Sequence, residues 1–205
     1  MQTVIPSERA GEQHRAGVLD DSRTKQGRLS RRSRQSMADL KIRQAEPGEI
    51  EDLIPILLQA EESVSALRWS LAHMADTVYR MDDGERLVGA ATVRWRGEPC
   101  EIMELAIAPE LHGQGYGRRL IVFLVEEAYR RGKRQMLVGT ANSSIANIAF
   151  YQKVGFRMDH IRKDYFRYYR EPHFENGIQI RDMLVFRYDL ELQPEQKGGG
   201  SRTRR

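Results

Sequence analysis

The sequence predicts one mixed α/β domain, and three observations carry that expectation. At 205 residues, 40% of them hydrophobic, the chain can bury a core of ordinary size. Its apolar periodicity runs as strands first and then as strand and helix in alternation. Finally, a cluster of three glycines joins a strand directly to the longest helical segment.

Residues 39–44 alternate as a strand. Pro47 then opens a helical stretch in which Ile50, Leu53, Ile54, Leu57 and Leu58 keep a helix period, with Pro55 expected to kink or restart it. A short helix follows at 66–75. Three strand-like runs come next, at 77–81, 86–95 and 100–108, the first two separated by Asp82-Asp83-Gly84, a hairpin turn signal. Residues 116–131 read as a helix with Leu120, Ile121, Leu124, Val125 and Ala128 on its core face and Gly132 as its stop. Its middle is apolar almost all round, as a buried helix would be. A strand at 135–140, a helix at 143–153 closed by Gly155, and strands at 156–162 and 179–189 complete a count of seven strands.

The two ends differ from this body. Residues 1–36 are rich in Arg, Ser, Gly and Gln without a period, and are expected to be a disordered basic arm. The domain is expected to span 37–192, with Met37 a candidate start, and residues 193–205 to form a flexible tail. The net charge of +4 belongs to the ends: residues 1–38 and 197–205 together hold twelve basic and four acidic residues, leaving 21 basic and 25 acidic ones between. The body is therefore mildly acidic, which argues against a nucleic-acid-binding role, as does the lack of a basic recognition helix or zinc spacing. No apolar run is long enough for a membrane span or a signal peptide. The lone cysteine, Cys100, excludes an internal disulfide and a thiolate-rich metal cage. Cys100 is expected to be a small apolar filler on a strand, which fits a reducing compartment, and a cytoplasmic protein without metal is the expectation.

The informative segment runs from Glu101 to Gly132. A strand ends near Pro109, and Gly113, Gly115 and Gly117 lead into the helix. Glycines let successive amides turn into one concavity, and the helix N-terminus adds unsatisfied donors, so the segment is an anion site. Arg118 and Arg119 oppose the helix dipole in the first turn, which makes sense beside phosphate. The spacing is neither a Walker loop, which needs Gly-Lys-Ser/Thr, nor a dinucleotide fingerprint, which needs glycines at relative positions 1, 3 and 6.

The run His112-Gly113-Gln114-Gly115-Tyr116-Gly117 resembles the hallmark Gln/Arg-x-x-Gly-x-Gly/Ala of the GNAT superfamily of N-acetyltransferases, with His112 departing from the usual first residue. Residues 142–156, an asparagine-containing turn and helix ending in Tyr-x-x-x-Gly-Phe, are similar to a second motif of that superfamily. The stretch at 171–183 looks like the ending of an uncharacterised bacterial branch. The resemblance covers about residues 39–190 and implies a mostly antiparallel central sheet of about seven strands flanked by helices. It also implies acetyl-coenzyme A as co-substrate. The pyrophosphate would sit on the loop and first helical turn, His112, Gly113, Gln114, Gly115, Tyr116, Gly117 and Arg118, and the pantetheine arm would pair like an extra strand beside Leu105, Ala106 and Ile107.

An amine attacks a thioester only as the free base, and a lysine-like amine of pKa about 10.4 is deprotonated at pH 7 to roughly one part in 2,500. Some ~4–5 kcal/mol must come from desolvation or a base. Glu101 and Glu104 are the candidates. Strand alternation puts them on opposite faces unless a bulge intervenes, so at most one is expected in the site. Glu101 matches the base of histone-acetylating members by its distance from the loop, and an acid is also common at Glu104. On the helix at 143–153, Ile145, Ile148 and Ala149 are expected to form the buried stripe, with Asn147 and Tyr151 presented together at i and i+4. By resemblance Tyr151 would protonate the departing thiolate, and Asn142 or Asn147 would bind the pantetheine or ribose end. Members that acetylate ribosomal protein N-termini carry a glutamate where this chain has Gly139.

The acceptor side is expected from the first helices and the last hairpin, where Asp164, Glu171, Glu175 and Asp182 lie among Tyr165, Phe166, Tyr168, Tyr169 and Phe174. Carboxylates and aromatic faces suit a cationic amine, so a small-molecule amine such as a polyamine-like or aminoglycoside-like compound is the expected acceptor. A protein-lysine acetyltransferase and a non-catalytic coenzyme A sensor are the alternatives. The oligomeric state is not readable, and a homodimer stays open.

Overall fold

The computed structural model describes residues 40–61, 63–169 and 171–190. The expected arm at 1–36 and tail at 193–205 lie outside the described residues. Strand β1 (Leu40–Gln44) leads through a 3-10 turn (Pro47–Glu49) into α1 (Ile50–Leu57) and α2 (Val64–His73). Strands β2 (Thr77–Asp83), β3 (Arg86–Arg94) and β4 (Cys100–Ile107) follow. Then come α3 (Tyr116–Arg130), β5 (Gln135–Ala141), α4 (Ile145–Lys153) and β6 (Arg157–Arg162). A two-residue pair, β7 (Phe174–Glu175) and β8 (Ile178–Gln179), precedes β9 (Met183–Asp189).

Seven strands form one sheet in the order β1-β2-β3-β4-β5-β9-β6. Only β4 and β5 run parallel; every other neighbour is antiparallel. Helices cover both faces. Leu53, Ile54 and Leu57 of α1 and Leu67 of α2 pack with Val78, Ala90 and Ala106 on one face. Leu120, Ile121, Leu124 and Ala128 of α3 and Tyr151 of α4 pack with Val93, Ile102, Val138 and Phe186 on the other. Gly132, at φ 68°, stops α3: its N–H donates to Tyr129 and that of Lys133 to Ala128, which satisfies carbonyls the helix would leave open.

Four expectations need adjusting. The β2–β3 hairpin turns at Gly84-Glu85, because Asp82 and Asp83 still pair in the strand and Gly84 alone takes a positive φ of 64°. Helix α1 runs through Pro55 without a break. Val122 of α3 is 46% exposed, so that helix is buried on one side only. The expected strand at 179–189 is split, Gln179 belonging to β8 and β9 starting at Met183.

The feature that positions the site is the parting of β4 from β5. They pair over three residues, Cys100 to Ile102 against Met136 to Val138, and separate beyond Ile102, although β5 continues with β9 as far as Ala141. At that point β4 also carries a bulge: Glu104 faces Thr92 and Ile102 faces Val93, which leaves Met103 as the extra residue.

Candidate active site

The glycine loop is held from below. Pro109 to Leu111 form a 3-10 turn, His112 Nε2 donates to the Ile107 carbonyl at 2.8 Å, and Gln114 Nε2 donates to the Glu110 carbonyl at 2.8 Å. Gly113 and Gly115 have φ of 74° and 92°, a region open to glycine at little cost. Gly117 serves packing: a Cβ there would lie 3.2 Å from Phe150 Cζ, so the start of α3 closes on α4. Tyr116 is buried and its hydroxyl donates to Asp83 at 2.8 Å, anchoring the loop to the β2–β3 hairpin. The amides of the first turn of α3 have no partner inside the helix. Arg118 and Arg119 are exposed and hold no ion pair among the described residues. A concave set of donors with two cations beside it fits a pyrophosphate.

Leu105, Ala106 and Ile107 lie on the stretch of β4 that pairs with β3 on one side and with no strand on the other among the described residues. Their free edge can accept an extended chain, and it runs into the glycine loop.

The bulge at Met103 changes the position of the two glutamates. Glu104 lies opposite Thr92 and Glu101 opposite Arg94, residues two apart on β3, so both carboxylates point to the α1/α2 face. The expectation that at most one would do so fails because the extra residue resets the alternation. Their surroundings differ. Glu101 is 3% exposed and is neutralised by two arginines, Arg94 Nη2 at 2.5 Å and Arg162 Nη1 at 2.8 Å. Glu104 is 8% exposed and touches hydroxyls: Thr92 Oγ1 donates to its carboxylate and accepts its backbone N–H at 3.1 Å. Ser70 Oγ of α2 faces the same carboxyl but makes no hydrogen bond of good geometry. Burial pushes the pKa of Glu104 up, the charge of Glu61 adds to the rise, and the hydroxyls of Ser70 and Thr92 pull it partly back.

On α4 the packing is rotated from expectation. Ile145 is 50% exposed, Asn147 is exposed, and Tyr151 is buried among Phe150, Phe156 and Phe186. The helix has nine residues and meets the sheet through its second half, so its first turn projects past the apolar layer. Burial raises the pKa of the Tyr151 phenol, which keeps its proton at neutral pH. Asn147 Nδ2 donates to Thr140 Oγ1 at 3.4 Å. The Asn142 amide is committed to the chain: its oxygen accepts from the N–H groups of Arg181 and Asp182, and its nitrogen donates to the Gln179 carbonyl.

The segment at 164–182 uses two of its acids internally and a third on the turn before α4. Asp164 pairs with Arg181 at 3.1 Å, Asp182 accepts the Asp164 N–H at 2.8 Å, and Glu175 accepts the hydroxyls of Ser143 and Ser144. The carboxylates that meet its aromatic side chains come from elsewhere. The hydroxyl of Tyr168 donates to Glu61 at 3.1 Å, and Tyr165 feels the charges of Arg162, Glu101, Glu104 and Glu61, burial being the main reason its pKa is raised. Glu61, Ser70, Thr92, Arg94 and Arg162 are residues that sequence reasoning missed. Of these only Thr92, opposite a glutamate in a hairpin register, had a readable signal.

Gly139 sits under Met183: a Cβ there would lie 2.3 Å from Met183 Sδ. The end of that flexible side chain would have to move to admit a larger residue.

Comparison with known proteins agrees with this geometry. Residues 43–156 match the acetyltransferase (GNAT) family. The uncharacterised N-acetyltransferase YvbK of Bacillus subtilis is 39% identical over 109 residues, 52% of this chain and 70% of its own. A GNAT family acetyltransferase from Elizabethkingia anophelis, solved with acetyl-coenzyme A bound, superposes with a TM-score of 0.67 at 29% identity, covering 74% of this chain and 99% of that one. A Bacillus subtilis acetyltransferase in complex with coenzyme A gives a TM-score of 0.67 at 34% identity and the same coverage. The chain belongs to the acetyltransferase (GNAT) family and is an acetyl-coenzyme A-dependent acyltransferase.

Proposed function

We propose that the enzyme acetylates a primary amine of a small cationic acceptor, with Glu104 as the base and Tyr151 as the acid. The observation that carries this reading is the contrast on β4: Glu104 is a buried carboxylate without a cationic partner among the described residues, at the start of the strand's open edge, whereas Glu101 is taken by Arg94 and Arg162. A carboxylate with a raised pKa is a better match to the proton it must remove.

Bound acetyl-coenzyme A supplies the thioester carbonyl that the amine attacks. Residues 113–118 bind its pyrophosphate, Leu105 to Ile107 align its arm, and Asn147, which has only a long hydrogen bond to Thr140, remains available for a further contact. Glu104, oriented by Thr92, takes the ammonium proton. As the new C–N bond forms and the C–S bond breaks, the Tyr151 phenol gives its proton to the departing sulfur.

Two features support a small acceptor. The Tyr168 hydroxyl donates to Glu61, which ties the α1–α2 connection to the segment after β6 and restricts the approach an extended peptide would need. Gly139 stands where N-terminal acetylases of the superfamily carry a glutamate, so that side chain is absent from this site. Coenzyme A release with a panel of small cationic amines, a lysine-containing peptide and no acceptor tests the reading. Stimulation by the amines above both other conditions is expected. Peptide-only stimulation would assign a protein acceptor, and no turnover with any acceptor would favour a coenzyme A sensor.

A further inference from the structure

The tip of the glycine loop has little support of its own. Gly113, Gln114 and Gly115 are exposed, and a Cβ built on Gly113 would meet no atom within 4 Å. Such a segment loses much backbone freedom when its amides converge on an anion, so whatever fixes its two ends decides how much of that cost falls on binding.

Both ends are held by the turn of the β2–β3 hairpin. Asp83 and Arg86 face one another in register across Gly84-Glu85. On β2, Tyr79 and Met81 pack in the α3 core, and strand alternation sends Asp83 the same way. Asp83 accepts the Tyr116 hydroxyl at 2.8 Å, and Tyr116 is 2% exposed, so the chain leaving the loop is fixed at the first residue of α3. Arg86 pairs with Glu110, in the 3-10 turn through which the chain enters the loop. One facing pair of a hairpin thus grips the loop before and after its glycines.

We infer that Asp83 and Arg86 are positioning residues for the cofactor. Acting through Tyr116 and Glu110, they keep the amides of 113–118 in the spacing a pyrophosphate group needs, and so set the affinity for coenzyme A without touching it. Asp83 is the stronger of the two, because its partner is buried, whereas Arg86 and Glu110 are both more than half exposed and open to screening by salt. This rests on the reading of 113–118 as the pyrophosphate loop.

Calorimetry of coenzyme A binding, with inorganic pyrophosphate and pantetheine as competitors, tests it in the parent, D83A, D83N, Y116F, R86Q and E85Q. In D83A the Kd for coenzyme A and the Ki of pyrophosphate are expected to rise together by roughly tenfold, the order of one charge-assisted hydrogen bond, while the Ki of pantetheine, which has no phosphate, stays within about twofold. Y116F should follow D83A, and D83N, which keeps an oxygen to accept the hydroxyl, should recover most of the loss. R86Q should act in the same direction by about two- to threefold, a difference that fades at high salt. E85Q, in the turn between them, should match the parent. Equal weakening of pyrophosphate and pantetheine in a folded D83A overturns the inference, as does a parent-like Kd for coenzyme A in D83A and Y116F. If pyrophosphate does not displace coenzyme A from the parent, the loop reading fails and the positioning role with it; if it does, and the variants keep the parent's Ki, the loop reading stands alone. Y116F removes one oxygen from a buried ring, so the idea stays open to refutation even where D83A does not fold.

Discussion

The two halves of β4 lie on one strand, present a glutamate to the same face, and are put to different use. In the first half the strand is paired on both sides, and Glu101 is locked between two arginines. In the second half β5 has parted, and Glu104 has hydroxyls for company and no cation among the described residues. One extra residue, Met103, divides them. A carboxylate between two guanidinium groups gives up little of its charge and little reactivity, while one that is buried beside neutral donors is unstable as an anion and takes a proton readily. On the proposed reading, the bulge separates a structural half of the strand from a reactive one.

That division can be broken at several points. The largest effect is expected from E104Q, which keeps shape but cannot take a proton; kcat/KM should fall by about 10²- to 10⁴-fold at neutral pH, with thermal stability retained. Loss of less than threefold would remove Glu104 from the chemistry. Y151F should cost roughly ten- to a hundredfold in kcat, less than the base because a thiol of pKa about 8.5 leaves with little help. Solvent isotope effects on kcat in the two forms would check that a proton transfer has been altered. E101Q should behave in the opposite way to E104Q: it leaves Arg94 and Arg162 facing a neutral group, so stability should drop by ~1–3 kcal/mol, reduced from the cost of a fully buried pair because both guanidinium groups are partly exposed. Urea unfolding measures it, and turnover should change by less than stability implies. The smallest effect belongs to H112A. Its side chain holds the Ile107 carbonyl, so the Kd for acetyl-coenzyme A should rise only by about two- to twelvefold, the worth of one hydrogen bond. A hundredfold loss would place the imidazole on the ligand.

Much of the fold was legible because each element carried its own period. The helix of Leu120, Ile121, Leu124 and Ala128 and the glycines before it could be read directly, as could the strands bounding the Gly84 turn. The site was legible only where one segment supplied it. The glycine loop and the β4 edge are local. The pairing of Glu101 with Arg162 joins residues 61 positions apart, and Tyr168 meets Glu61 over 107. Nothing in the spacing of either pair signals the meeting. The bulge was hidden for a different reason: Met103 is as compatible with a regular strand as with an irregular one, so alternation alone sent the two glutamates to opposite faces. The stripe on α4 was misjudged because a nine-residue helix need not lie flat on the sheet.

Glu104 also links function to stability. Its folded-state pKa is raised, so its protonated form favours folding; that contribution is full below the ordinary carboxylate range and is lost as pH rises through the folded-state value. E104Q, which stays neutral, should therefore gain on the parent in unfolding midpoint as pH is raised from about 4 to about 8.

The most direct test of the division of β4 is the pH dependence of kcat/KM for the parent, E101Q and E104Q with one accepted amine. The parent should show an acid limb set by a carboxyl group titrating above its ordinary range, E101Q should keep that limb, and E104Q should lose it along with most of its rate. If the limb disappears in E101Q and persists in E104Q, the base lies in the half of β4 assigned here to structure.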